Sequence, residues 1–270
     1  VQSPEQIREH YAIERELADR LRSAPSKEAR RQLYAVVYEE RSRRIAHHPL
    51  VERAADPAAR AVAAAPQVRL ILPFVCADST FAEVGAGDGA VARGVAPHVR
   101  SATAIDVTDA LALPDDEAVG FVFRVFDGFD LGLTDLDVVY SNDVAEHLHP
   151  DDFLDHARAI LCALKPGGRY LCVTPNRLSG PHDISKHFSD VPRGFHLREY
   201  TALELGAALR AAGFADVKVI AAVGGRRFSP PLPLATIAPF ERVIRLLPAR
   251  LRRRAALGLA VMKVIGVKAA

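Results

Sequence analysis

The sequence predicts a doubly wound α/β fold, a largely parallel sheet with helices on both faces, preceded by a helical extension. Three observations carry that prediction. From residue 79 onward, short apolar runs alternate with amphipathic stretches, the pattern of strands joined by crossover helices. A glycine-rich turn, Gly85-Ala86-Gly87-Asp88-Gly89, lies between one such run and one such stretch. Residues 1–74 show helical spacing only.

Within the extension, a helix is expected over 5–22. Ser3 can cap it, Pro4 suits its first turn, and Ile7, Tyr11, Ile13, Leu17 and Leu21 recur near helical spacing. A second helix, over 27–46, places Leu33, Val36, Val37 and Ile45 among charges, and His47-His48-Pro49 breaks it. The alanine-rich stretch 57–73 reads as a third. Strands are then expected at 80–84, 101–107, 121–126, 136–141 and 170–174, with helices over 88–97, 108–113 and 150–164. A helix over 201–212 stops at Gly213. Residues 216–223 read as a further strand and 257–268 as a final edge strand. Between these, 224–256 holds five prolines and reads as a loop plus one or two helices. The expected parts are thus an extension over 1–74, a core over 75–223 and a C-terminal part over 224–270.

Composition bounds the function. Of 270 residues, 49% are apolar and 25% charged, ordinary values for a globular chain with a full core. The net charge of +2 gives no basic stripe for nucleic acid. Cys76, Cys162 and Cys172 form no Cys-x-x-Cys pair, and an odd count argues against a disulfide framework. Reduced, buried thiols in a cytoplasmic protein are the expectation. Val1-Gln2-Ser3-Pro4 begins no signal peptide, and no uncharged apolar run of about 18 residues marks a membrane span.

The glycine turn suggests a cofactor. Gly85 and Gly87 let the chain turn sharply and let a ligand approach the backbone. The spacing is Gly-x-Gly-x-Gly, not that of the dinucleotide fingerprint Gly-x-Gly-x-x-Gly. Glu83, just before the glycines, would repel a pyrophosphate but suits a cationic amino-acid moiety. Asp106 ends the next strand, 19 residues after Gly87, where a carboxylate can accept both hydroxyls of a ribose.

These residues resemble the first motif of the class I S-adenosylmethionine-dependent methyltransferases, and Asp106 resembles their acidic ribose ligand. Leu136-Asp137-Val138-Val139-Tyr140-Ser141-Asn142 is similar to their fourth strand, and Leu164-Lys165-Pro166-Gly167-Gly168-Arg169-Tyr170-Leu171 to their fifth. Tyr200-Thr201 and Ala211-Ala212-Gly213-Phe214 also fit. The resemblance spans about residues 79–223. It implies a Rossmann-like sheet of seven strands with the last antiparallel, and S-adenosylmethionine as cofactor. The cofactor-binding candidates are Glu83, Gly85, Ala86, Gly87, Asp106, Val107, Asp127, Gly128 and Asn142, with Asp127 near the adenine.

Methyl transfer from a sulfonium is an in-line displacement that needs alignment, exclusion of water and, for a hydroxyl acceptor, removal of a proton. The candidates follow the fourth strand in Asn142-Asp143-Val144-Ala145-Glu146-His147. His147 can be a general base held in its tautomer by a carboxylate. Alternatively, Asp143, Glu146 and His147 hold Mg2+ or another divalent cation that acidifies the acceptor. The latter resembles the Glu-x-x-Glu-His motif of ubiquinone-pathway O-methyltransferases, from which Asp143 departs. A third reading makes Glu146-His147 a packing element.

Six of the ten histidines fall between 147 and 196. His149 and His156 are expected to face solvent. His182, His187 and His196, in the long polar segment 176–200, are candidates to bind the acceptor or supply the base. Tyr11, Tyr34 and Tyr38 could face the site from the extension, with core packing the preferred role. Residues 237–256 carry six arginines among leucines and isoleucines. A solvated face over the core is the preferred reading, and contact with an anionic membrane surface its alternative.

The expected activity is O-methylation of a hydroxyl on a small polar acceptor: a sugar, polyketide or phenol. N-methylation of a small molecule and non-catalytic binding of S-adenosylmethionine are the alternatives. The balanced charge, and the lack of an Asn/Asp-Pro-Pro-Tyr segment after the fourth strand, speak against nucleic-acid methylation. The sequence leaves open a monomer or a homodimer.

Overall fold

The computed structural model describes residues 2–112 and 120–270. Helix α1 (Pro4–Arg22) opens with a capping box in which Ser3 Oγ accepts from the Gln6 N–H and the Gln6 side chain accepts from the Ser3 N–H. Helix α2 (Lys27–Arg44) follows a Ser26 cap, α3 (Pro49–Ala54) is a single short helix that the sequence reading missed, and α4 (Pro57–Ile71) is capped by Asp56. Strand β1 (Thr80–Val84) then leads to α5 (Ala90–Val95), β2 (Ser101–Asp106), β3 (Phe121–Val125) and β4 (Leu136–Asn142). Helix α6 (Phe153–Ala163), β5 (Leu164–Pro175), α7 (Ala202–Ala212) and β6 (Asp216–Val219) complete the alternation. The remaining elements are β7 (Ala222–Val223), β8 (Arg226–Arg227), β9 (Leu232–Pro233), α8 (Leu234–Arg245), α9 (Ala249–Ala255) and β10 (Val261–Val267).

The main sheet runs β3-β2-β1-β4-β5-β10-β6-β9. β3, β2, β1, β4 and β5 are mutually parallel, and β10 is antiparallel to both β5 and β6. Seven strands thus form the expected Rossmann-like order, and β9 adds a two-residue pair at one edge. The last strand is antiparallel as expected, but it is no edge strand: it fills the gap between β5 and β6. Its residues Val264 and Ile265 are buried on opposite faces, which an edge position would not require.

Three further expectations change. Residues 108–112 form a turn rather than the helix expected over 108–113, whose last position lies outside the described residues. The strand expected over 216–223 ends at Val219, and Ala222–Val223 pairs instead with Arg226–Arg227 in a separate hairpin through Gly224-Gly225. Cys162 is exposed on α6, so only Cys172 is a buried thiol.

The extension is joined to the core by packing. Ile13, Leu17 and Leu21 of α1 and Tyr34 and Val37 of α2 belong to the same cluster as Val84, Val139 and Cys172 of the sheet. Ala64, Leu70 and Ile71 of α4 pack on the opposite face with Val91 and Val95 of α5. A buried ion pair fixes the contact: the Arg30 guanidinium donates to both oxygens of Asp152 at 2.7 and 2.6 Å, and Tyr34 Oη donates to the same carboxylate at 3.0 Å.

Candidate active site

β1 and β4 are neighbours whose connections leave in opposite directions across the sheet. A crevice opens beyond the carboxyl ends of strands at such a switch point. There the chain forms a cavity of about 350 Å3. Gly85, with φ of +70°, lets the turn after β1 pass so close to Val144 that an added Cβ would sit 2.2 Å from its Cγ2. The turn is pinned to β2: Gly85 N–H donates to Ile105 O at 2.9 Å, and Gly87 N–H to Asp106 Oδ2 at 2.7 Å. Val107 N–H donates to Asp106 Oδ1 at 2.7 Å. Burial pushes the Asp106 carboxyl up, against those N–H groups and the positive Arg41.

Glu83 is buried and accepts from the Ala92 N–H of α5 at 2.8 Å. Burial raises its pKa to about 8, with the carboxylates of Asp88 and Asp106 adding to the rise and the Ala92 N–H opposing it. A cationic ligand group beside it would favour the ionised form and draw that pKa down. The cavity therefore offers acid groups for a ribose diol and for positive charge. Arg41 can meet a carboxylate: its Nε has no hydrogen-bond partner among the described residues, and its guanidinium lies over Tyr38 and Phe195, 5.2 Å from each ring centre. A ribose, an amino-acid carboxylate and cationic centres are what S-adenosylmethionine carries, so the side chains present fit it.

Most of the expected cofactor residues meet at this cavity: Glu83, Gly85, Ala86, Gly87, Asp106, Val107, Gly128 and Asn142 all line it. Asp127 does not. Its carboxylate pairs with Arg31 and accepts from the N–H groups of Phe129 and Asp130 at 2.8 Å each. The cap contributes lining that sequence reasoning assigned to packing or passed over, including Tyr34, Tyr38, Arg41, Arg53 and Gln67. Tyr34, Tyr38 and Arg41 recur at helical spacing on α2, a signal visible in the sequence. Tyr11 lies elsewhere and stacks on Phe188.

Histidines divide sharply. His147 lines the cavity, and its Nδ1–H donates to Phe195 O at 2.9 Å. A carbonyl can only accept, so Nε2 carries the lone pair; the tautomer is set by a carbonyl and not by the expected carboxylate. Burial, His196 and Arg41 lower the pKa of His147 to about 3. His196 stands 4.9 Å away, centre to centre, and pairs through Nδ1 with Glu199 at 2.7 Å. Burial opposes charge on His196, but the Glu199 hydrogen bond and the carboxylates of Glu146, Glu199 and Asp183 outweigh it and raise the pKa to about 9. His182 Nε2 faces Ser179 Oγ and Asn176 O, away from the cavity, and His187 is exposed. His156, expected in solvent, is buried, lines the cavity and bonds Gly128 O through Nδ1 at 3.2 Å. His149 is half-buried.

Near the cavity, the residues able to hold a metal also differ from expectation. Ligand atoms of Glu146, His147 and His196 lie within 4.8 Å of one another. His196 takes the place expected of Asp143, which has a φ of +55° and receives the Asn142 side-chain N–H at 2.8 Å. Sequence spacing could not bring in His196, which arrives from the segment before α7.

Fold and site together define a Rossmann-like α/β protein with a cavity at the carboxyl ends of β1, β2 and β4. The sequence model of a family described as a methyltransferase domain matches residues 39–219. The chain belongs to that family and is an S-adenosylmethionine-dependent methyltransferase. No curated protein sequence matches it significantly. Solved structures share the fold at low identity. A Haloferax volcanii protein described as a methyltransferase, solved with the Trm112 methyltransferase activator, is 19% identical with a TM-score of 0.54, covering 77% of this chain and 90% of its own. A Nostoc punctiforme protein described as an O-methyltransferase is 16% identical with a TM-score of 0.55, over 81% of this chain and 60% of its own. A SAM-dependent methyltransferase of Archaeoglobus fulgidus is 17% identical with a TM-score of 0.52, over 77% and 94%. Among the described residues, no helix is long and apolar enough to cross a membrane.

Proposed function

We propose that the enzyme methylates a hydroxyl of a small polar acceptor, a sugar, polyketide or phenol, and that His147 takes the proton. The observation that carries this reading is the state of His147: neutral, at the cavity wall, with Nδ1–H committed to Phe195 O and a lone pair on Nε2. S-adenosylmethionine supplies a methyl group on a sulfonium, and the sulfur keeps the electron pair of the broken C–S bond. A neutral hydroxyl that gains a methyl group becomes an oxonium, which is a strong acid. A ring with a pKa near 3 is basic enough to take that proton. Before transfer, Nε2 accepts a hydrogen bond from the hydroxyl and turns an oxygen lone pair toward the methyl carbon. An amine attacks through a lone pair it already has and needs less of this help. Three cap helices contribute lining, which favours a small acceptor over a polymer. The proposed setting is cytoplasmic.

Turnover of His147→Ala on a panel of hydroxyl compounds is expected to fall about 10²- to 10⁴-fold, with affinity for S-adenosylhomocysteine within about twofold of wild type by calorimetry. Turnover of amines but of no hydroxyl compound would overturn the reading, as would full activity of the variant.

A divalent cation is the second reading. Glu146 is buried, Thr174 donates to its Oε2 at 2.8 Å, and its Oε1 has no partner among the described residues. With His147 and His196 it offers a three-ligand set. Metal analysis of the purified chain and calorimetry with Mg2+ or Mn2+ test this; absence of metal and of binding heat would remove it.

A further inference from the structure

We infer that the surface formed by α8 and α9 docks on an anionic lipid bilayer. An amphipathic helix over a core turns its apolar residues inward. Here α8 does so only in part. Leu234 is buried, but the place that Glu241 occupies is the inner one: its carboxylate, 3% exposed, accepts from the N–H groups of Ala202 and Leu203 at 2.8 and 3.2 Å and caps α7. A side chain that caps one helix fixes the rotation of the other. The consequence is that Phe240, Val243 and Leu246, spaced by three, point outward at 64%, 63% and 85% exposure. Leu251 on α9 and Leu257 just beyond it add 54% and 68%. Ile237 and Ile244 turn toward the core as a solvated face over it would have them, and the outward apolar side chains are what that reading leaves without a partner.

Charge identifies the occupant. From Arg242 to Ala270 the chain has no Asp or Glu. Arg242, Arg245, Arg250 and Arg254 are exposed beside the apolar side chains. Acidic groups bordering this surface are engaged already, Asp190 with Arg253 at 2.7 Å and Glu204 with Arg177 at 2.5 Å. Apolar side chains interleaved with arginines suit the boundary between anionic headgroups and acyl chains. A second copy is disfavoured, because a two-fold contact would set the same arginines against each other. The surface also lies at the functional end of the sheet. β10 begins opposite Pro175, the carboxyl end of β5, and Asn176 N–H donates to Ala260 O at 2.8 Å. Docking there puts the enzyme on the bilayer with the carboxyl ends of its parallel strands near the lipid.

Co-sedimentation of the full chain with vesicles tests the inference independently of any methyl acceptor. Vesicles of phosphatidylcholine mixed with anionic phosphatidylglycerol are expected to carry the protein down, and vesicles of phosphatidylcholine alone are not. Replacing three arginines (Arg242→Gln, Arg245→Gln, Arg250→Gln) is expected to weaken partition about 100-fold, near fivefold for each. Phe240→Ser with Leu246→Ser is expected to weaken it at least about tenfold. All variants should keep wild-type affinity for S-adenosylhomocysteine, which reports that they fold. Wild-type protein left in the supernatant with anionic vesicles, or bound equally to both kinds, would overturn the inference. A lipid-free dimer in the ultracentrifuge that Phe240→Ser with Leu246→Ser turns to monomer would overturn it too, in favour of a second copy.

Discussion

Replacing Asp106 is the most direct test of how the cavity holds its cofactor. The carboxylate accepts the N–H groups of Gly87 and Val107, each at 2.7 Å, and so ties the glycine turn to the end of β2. Each oxygen keeps a second lone pair, and those are the acceptors available to a ribose diol. Asp106→Ala removes both. A hydrogen bond to a charged group contributes about 1.5–3 kcal/mol, so losing both should cost about 3–6 kcal/mol and lower the affinity for S-adenosylhomocysteine at least about 150-fold. Asp106→Asn is expected to lose affinity as well. Its amide must point an NH2 at the N–H of either Gly87 or Val107, donor against donor. Titration calorimetry of both variants, with circular dichroism to establish that each is folded, reads the effect. A folded Asp106→Ala protein that binds within twofold of wild type would refute the assignment of the ribose contact and the role given to β2.

Two other perturbations follow from the same geometry. Glu83 is held near pKa 8 in the folded chain against 4.5 for its ordinary value, so the folded state binds the extra proton between those limits. Its contribution to stability is full below pH 4.5 and is lost as pH rises through 8, at no more than about 1.4 kcal/mol per pH unit. Glu83→Gln should flatten urea-denaturation stability between pH 5 and 8, and an unchanged pH slope would contradict the buried protonated state. Asp152→Ala strands Arg30, which is 6% exposed, and should cost about 3–5 kcal/mol by urea denaturation; a loss below about 1 kcal/mol would mean that the cap does not depend on that pair.

What could be read without coordinates was set by local chemistry. Gly85, Gly87 and Asp106 declare a turn and a ligand by the backbone they permit and the carboxylate they lack or supply. Ser3 and Pro4 declare a helix start for equally local reasons, and the Ser3 cap forms. The alternation from residue 79 was enough for the layered sheet. Periodicity failed where it was weak or shared. Residues 257–268 read as a strand by composition, but nothing local says which neighbours it pairs with. Its place between β5 and β6 depends on contacts more than 40 residues away in sequence.

The same limit applies to the site. His147 stood out by its place after β4, but its state did not. Phe195, which fixes its tautomer, and His196, which lowers its basicity, are 48 and 49 residues further along the chain. His182 and His187 had the same residue type and the same loop, and the fold turns them elsewhere. Arg41 and Tyr38 enter the cavity only because α2 packs over the carboxyl ends of the strands, anchored by Arg30 on Asp152. The outward stripe on α8 depends on Glu241 being drawn in to cap α7. The sequence by itself therefore determined the backbone class, the glycine turn after β1 and the helix starts, because turns, caps and strand ends are short-range. Only the tertiary structure decided which histidine meets the cavity, what charge it holds and which face of α8 is left to solvent. Those depend on burial and on charges brought together from distant parts of the chain.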